Sequence, residues 1–327
     1  MNQFLRGLTP TEQVGALFLI VFGLLTMISL VAFFLGFRRD EDDAHEGRRA
    51  SLADFRQLLG RSWFMVVIFW IGWAAGETAA IVLFALIAFL ALREFITLSP
   101  TRRGDHRSLV LAFFAVLPFQ FWLAGTQHFD LFTVFIPVYV FLAIPLVSAL
   151  AGDTQRFLER NAKLQWGIVV CVYGMSHVPA LLLLDFPGYE GKGAFLVFFL
   201  VFVVQSCMVA QHLVTRYLKR PPSVPQISTS FNWGSWGLGM ALGSGIGVLF
   251  SFITPFNPWQ ALTMAFVACA AGSMGHLVMK ALKRDRGITS WGHRVSVTGA
   301  NGLLDRVDAL CFAAPIFFHS ARWYFSA

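Results

Sequence analysis

Apolar stretches close to the length of a bilayer crossing follow one another along almost the whole chain, which leaves few folds open to it. A helix needs about 20 apolar residues to span hydrocarbon, and ten candidates occur, at roughly 14–36, 62–76, 77–92, 108–124, 131–151, 165–184, 193–215, 234–254, 259–279 and 309–322. Lipid offers no hydrogen-bonding partner to the backbone, so such segments must satisfy their own polar groups as helices. The expected fold is all-α: a polytopic integral membrane bundle of about ten transmembrane helices. With 57% hydrophobic residues the chain lies outside the range of soluble globular domains. The second and third segments are parted only by Gly76 and Glu77, so either is open to being a half-span or an interfacial helix.

The distribution of cations sets an expected direction. Under a ten-span arrangement one set of loops holds 22 of the 25 Lys and Arg residues and leaves Arg6, Lys192 and Arg322 for the other side. Basic loops are retained in the cytoplasm, so both termini are expected on the non-cytoplasmic side, in a membrane expected to be a bacterial inner membrane. The formal charge of +7 then belongs to one face, where it attracts anionic lipid or nucleotides. No recognition helix or stacking platform accompanies it, so no nucleic-acid partner is expected. Cys171, Cys207, Cys269 and Cys311 lie in apolar runs without metal-like spacing and read as small buried hydrophobes.

Within the chain, Thr9-Pro10-Thr11-Glu12 reads as a helix start, with Thr9 as cap and Glu12 three residues on. Residues 1–61 are expected to form an N-terminal span plus a charged cytoplasmic linker, ahead of a membrane domain at 62–327. Within the linker, Ser51 to Leu59 has the spacing of a short amphipathic helix lying on the membrane. Arg93 and Glu94 are expected as an ion pair at a helix end. His177, in Ser176-His177-Val178-Pro179, reads as a structural histidine.

The densest chemistry lies between Gly275 and Leu310, where Lys280, Lys283, Arg284, Asp285 and Arg286 fall within seven residues and Leu304-Asp305-Arg306-Val307-Asp308 follows a Gly- and Ser-containing loop. Cations bind phosphate oxygens and carboxylates bind the divalent metal that bridges them, so this pattern suits a phosphate-bearing substrate. A basic loop that only sets orientation is the alternative. If the last segment is helical, Asp305 and Asp308 share a face.

The run Lys283-Arg284-Asp285-Arg286-Gly287-Ile288, followed by Leu304-Asp305-Arg306-Val307-Asp308-Ala309-Leu310, resembles the C-terminal signature of the phosphatidate cytidylyltransferases, or CDP-diacylglycerol synthases. The resemblance extends back to about Leu83, and the family has a Glu near the place of Glu94, which a helix-end pair with Arg93 explains equally well. It implies joining of phosphatidate and CTP into CDP-diacylglycerol and pyrophosphate, with Mg2+ as cofactor. By the same resemblance Asp305, Asp308 and Lys283 are the candidate catalytic residues. Arg284, Arg306, Lys219, Arg220 and Ser228 are candidate substrate-binding residues, and Asp285, Asp305, Asp308 and His276 candidate metal ligands.

Several family positions are replaced. Met208 or Gln205 stands where the family carries an acid, Phe231 at a loop lysine, Gly234 at a loop glutamate, His276 at the Asp of G-D-L, and Thr289-Ser290 at K-D. Thr298 to Gly302 replaces P-G-H-G-G. The expectation is a chain that keeps the fold and binds phosphatidate, another anionic lipid or CTP, as a homodimer or heteromer, with catalysis impaired or lost. The alternatives are a non-catalytic interaction or regulatory partner of a lipid-synthesis enzyme and, further off, a transporter.

Overall fold

A computed structural model describes residues 9–37, 46–99, 101–292 and 302–325 of the chain. Among the described residues the long elements are ten helices: α1 Pro10–Phe37, α2 Glu46–Ala74, α3 Glu77–Thr97, α4 Arg103–Gly125, α5 Phe129–Ala149, α6 Phe157–Leu182, α7 Gly193–Leu218, α8 Trp233–Leu249, α9 Pro258–Asp285 and α10 Leu304–Phe325. All-helical architecture follows, and no strand occurs among the described residues.

Seven of the ten are long and apolar enough to cross a membrane, namely Glu12–Phe34 within α1, and α3, α4, α5, α6, α7 and α9. The expected ten thus stand at seven by length and composition. The apolar part of α2 is only Ser62–Ala74. Helix α8 has 17 residues, about 26 Å of rise, and α10 opens on Asp305, Arg306 and Asp308. The chain is an integral membrane protein.

Residues up to Ala74 and from Ala75 onward form two compact units. In the first, α1 starts as its sequence predicts: Glu12 accepts the Thr9 N–H at 2.8 Å and the Glu12 N–H donates to Thr9 Oγ1 at 3.4 Å. Helix α2 runs without a break from Glu46, so the Ser51–Leu59 stretch is not a separate surface helix; it continues into the apolar turns that follow. Phe18 lies 5.6 Å from the Trp73 ring and Phe22 5.8 Å from that of Trp63, whose Nε1 donates to Ser29 Oγ at 3.0 Å. The part of the linker at 38–45 lies outside the described residues.

The second unit is organised by close helix approach. Along α8, Gly239, Gly243 and Gly247 recur every fourth residue on one face. A Cβ there would stand 2.2 Å from Gln211 Cγ, 2.8 Å from Cys207 Cβ and Cys269 Sγ, and 2.3 Å from Ala265 Cβ. Without side chains on that face, α8 packs directly on α7 and α9, as small residues permit between membrane helices. Interior polar groups find partners across helices: Ser108 and Ser148 share a hydrogen bond of 2.8 Å, and Gln120 Nε2 donates to Ser176 Oγ at 3.2 Å. His177 is fully buried, its Nδ1 2.7 Å from the Tyr173 carbonyl, among Phe132, Phe318 and His319. All four cysteines are free and buried.

Candidate functional site

The end of α9 and the start of α10 carry the residues that the sequence singles out, and local backbone chemistry explains why they meet. Helix α9 stops at Gly287, whose φ of +64° is a conformation open to glycine at little cost. The Gly287 N–H donates to the Arg284 carbonyl and the Ile288 N–H to the Lys283 carbonyl, both at 3.0 Å. This is the Schellman arrangement, in which a residue buried after the glycine seals the helix end; Ile288 is 8% exposed. The K-R-x-x-G-I pattern therefore builds a helix stop that turns the chain back toward α10.

Helix α10 begins with a cap supplied from far away in sequence. The Leu303 and Leu304 N–H groups donate to Glu94 Oε1 and Oε2 at 3.0 and 2.9 Å. These belong to the amides that a helix N-terminus leaves without internal partners, and a negative group there also suits the helix dipole. Glu94, 5% exposed near the end of α3, thus caps α10 from more than 200 positions away in the same chain, beyond the helix-end role its neighbour Arg93 suggests. No sequence signal ties residue 94 to residue 304, so this role is invisible before the fold.

Two rungs then join α9 to α10. Lys283 Nζ donates to Asp305 Oδ1 at 2.5 Å, and His276 Nδ1 lies 2.7 Å from Asp308 Oδ2. His276 and Lys283 are seven residues apart and share a face of α9, while Asp305 and Asp308 share a face of α10. Asp305 also accepts from Ser290 Oγ at 2.6 Å and from the Trp291 N–H at 2.9 Å. Trp291, 1% exposed with its ring 5.4 Å from that of Phe95, fixes the loop behind the carboxylate.

The expected metal quartet is not assembled. Asp285 lies two residues beyond Lys283, about 200° round the helix. Its side chain is 69% exposed and 3.5 Å from Arg286 Nε. Among the described residues no three His, Cys, Asp or Glu side chains converge as metal ligands. Asp305 is engaged by an ammonium, a hydroxyl and an amide, and Asp308 by an imidazole. This donor-rich set does not fit a magnesium ion, which needs several convergent oxygen ligands. Part of the Gly-rich loop, 293–301, lies outside the described residues.

Of the remaining predicted residues, Arg284 and Arg306 adjoin the rungs in sequence, whereas Lys219, Arg220 and Ser228 belong to the α7–α8 connection. Arg284 and Arg306 are exposed, as are Lys219 and Arg220 at the end of α7. Ser228 is 3% exposed in the α7–α8 loop. Its Oγ accepts the Phe231 N–H at 3.2 Å and takes Lys280 Nζ at 3.3 Å. Lys280 was not among the expected site residues, because nothing in its spacing distinguishes it from its basic neighbours. Asn232 caps α8 by accepting the Gly234 N–H at 2.8 Å.

A separate charged cluster joins α4, α6 and the loop before α6. Buried Arg160 reaches Asp105 at 3.0 Å and Asp153 at 2.6 Å, and Arg102 Nε reaches Asp153 at 3.0 Å. The Gln155 backbone N–H, followed by the Arg160 and Arg102 guanidiniums, holds the Asp153 carboxyl below its usual range against the opposing effect of burial.

Sequence comparison supplies an independent line. The profile of the Cytidylyltransferase family matches residues 57–324. The Escherichia coli (strain K12) protein named Uncharacterized protein YnbB is 32% identical over 304 residues, 93% of this chain and 96% of that protein. The Phosphatidate cytidylyltransferase of Mycobacterium leprae (strain TN) is 30% identical over 170 residues, 52% of each chain. That of Mycobacterium bovis (strain ATCC BAA-935 / AF2122/97) is 26% identical over 123 residues, 37% of this chain and 40% of its own length. The match to these two enzymes thus spans about half of each or less.

Proposed function

This chain belongs to the cytidylyltransferase family, and from that premise we propose that it is a phosphatidate cytidylyltransferase-like membrane protein whose transfer chemistry is impaired. Its ligands on this reading are phosphatidate or another anionic lipid, and CTP. The supporting names are those of the two mycobacterial relatives. The single observation that carries the impairment is the engagement of Asp305 and Asp308 by Lys283, Ser290, the Trp291 amide and His276. Where two polyanions must be brought together, the carboxylates of such a site serve by holding a cation. Here protein donors occupy them instead. Ser290 and His276 are also the residues that stand at family acids, so the same two replacements that remove carboxylates add donors to those left behind.

The same engagement favours a second reading, a non-catalytic partner that holds a lipid or nucleotide for an active enzyme, as a heteromer or a homodimer. On either reading the ten helices all cross the membrane, α2, α8 and α10 included, with both termini on the side away from the basic loops. The deciding experiment is turnover. Purified full-length protein in detergent micelles, given CTP, phosphatidate and magnesium, is expected to form no CDP-diacylglycerol above background; robust formation would reject the impairment.

A further inference from the structure

Lys280 lies three residues before Lys283 on α9, about 60° round the helix from it. That offset directs it away from Asp305 and toward the α7–α8 loop, where its Nζ stands 3.3 Å from Ser228 Oγ and 3.4 Å from Ser230 Oγ. The loop is held closed by its own hydrogen bonds. The Ser223 N–H donates to the Phe231 carbonyl at 2.8 Å, Asn232 Nδ2 to the Pro221 carbonyl at 2.8 Å, and the Trp233 N–H to Ser223 Oγ at 3.2 Å. The two serines are therefore fixed and not free to wander.

A second cation borders the same place. A Cβ on Gly234 would stand 3.3 Å from Arg220 Nη1, so the guanidinium lies over the first turn of α8. In that turn Ser235, 2% exposed, has an Oγ with no hydrogen-bond partner among the described residues. An ammonium, a guanidinium and serine hydroxyls collected at one loop are the donor set that the oxygens of a phosphate group call for. A buried hydroxyl without a partner is costly unless something else completes it.

We infer that Lys280, Arg220, Ser228 and Ser230 form a phosphate subsite, with Lys280 entering from α9 as its principal cation. This rests on the reading under Proposed function and adds to it the group that takes the phosphate, either of a nucleoside triphosphate or of a phosphomonoester lipid. The loop position that the family resemblance gives to a lysine is Phe231 here, and the ammonium arrives from a neighbouring helix.

The test uses the full chain purified in detergent and measures affinity for CTP and, separately, for short-chain phosphatidate by calorimetry. Lys280→Gln is expected to weaken one or both by about tenfold, the effect of one charge-assisted hydrogen bond, while Lys280→Arg stays near the native value. Loss for CTP alone assigns the subsite to the nucleotide, and loss for phosphatidate alone assigns it to the lipid. Adding Phe231→Lys to Lys280→Gln is expected to restore affinity, which replacement of a merely structural lysine would not do. Should Lys280→Gln fail to fold, Ser230→Ala, at an exposed position, is expected to show a smaller loss in the same assay. Native affinity in the folded Lys280→Gln variant for both ligands overturns the subsite and leaves the function reading standing. A native chain that binds neither ligand overturns both.

Discussion

Asp305 is 5% exposed, with Lys283, Ser290 and the Trp291 amide on its two oxygens. A carboxylate so placed depends on each donor, because water does not reach it to replace one. Lys283→Met is expected to destabilise the protein by about 3–5 kcal/mol by stranding that charge. Pairing it with Asp305→Leu is expected to cost less than the two single changes summed, as thermal unfolding of purified variants in detergent will read; strictly additive losses would mean the pair is not coupled. The residues of this rung were legible beforehand, since charge stands out in an apolar chain. Their pairing was not. Asp285 looked as good a ligand as Asp305 by composition, and only helical phase sends it to solvent. The partners of Glu94 and Lys280 are hidden for the same reason: a letter gives a charge, whereas the partner, the start of α10 for Glu94 and the α7–α8 loop for Lys280, lies elsewhere in the chain.

Helix ends were the most readable elements, because capping is local chemistry. The Thr9–Glu12 start and the break at Gly76, with its φ of +89°, stand where the letters put them. Helix α2 is longer than its pattern suggests: its charged first half has the spacing of a short separate helix, and periodicity carries no information about whether the next apolar turn continues it. The stop of α9 makes a quantitative case. Gly287→Ala keeps the motif but places a Cβ in the left-handed region, and is expected to cost about 1 kcal/mol. Amide hydrogen exchange over 280–292 should rise in that variant while exchange in α5 stays unchanged; equal increases in both would point to a global effect. The glycine face of α8 was legible only as composition. Its role depends on what lies across from it, Gln211, Cys207, Cys269 and Ala265.

For the whole molecule, apolar run length revealed the class and the approximate number of helices, yet it overstated those that meet the length and hydropathy of a span. Short helices such as α8 are carried by packing between neighbours, which no single window of sequence records. The proposed direction is open to a simple check. In cells expressing the full chain, Glu190→Cys is expected to react with an impermeant maleimide added on the non-cytoplasmic side of the membrane, and Thr154→Cys only after lysis; the reverse pattern would invert the topology. The four native thiols are buried and give a low background. The cap between Glu94 and the amides of Leu303 and Leu304 links residues 209 and 210 positions apart. During synthesis α3 emerges long before α10 exists, and a carboxylate is expensive to bring out of water alone. Maturation of this end of the bundle therefore waits until the start of α10 has been synthesised, and the later helix is the one that lets α3 settle.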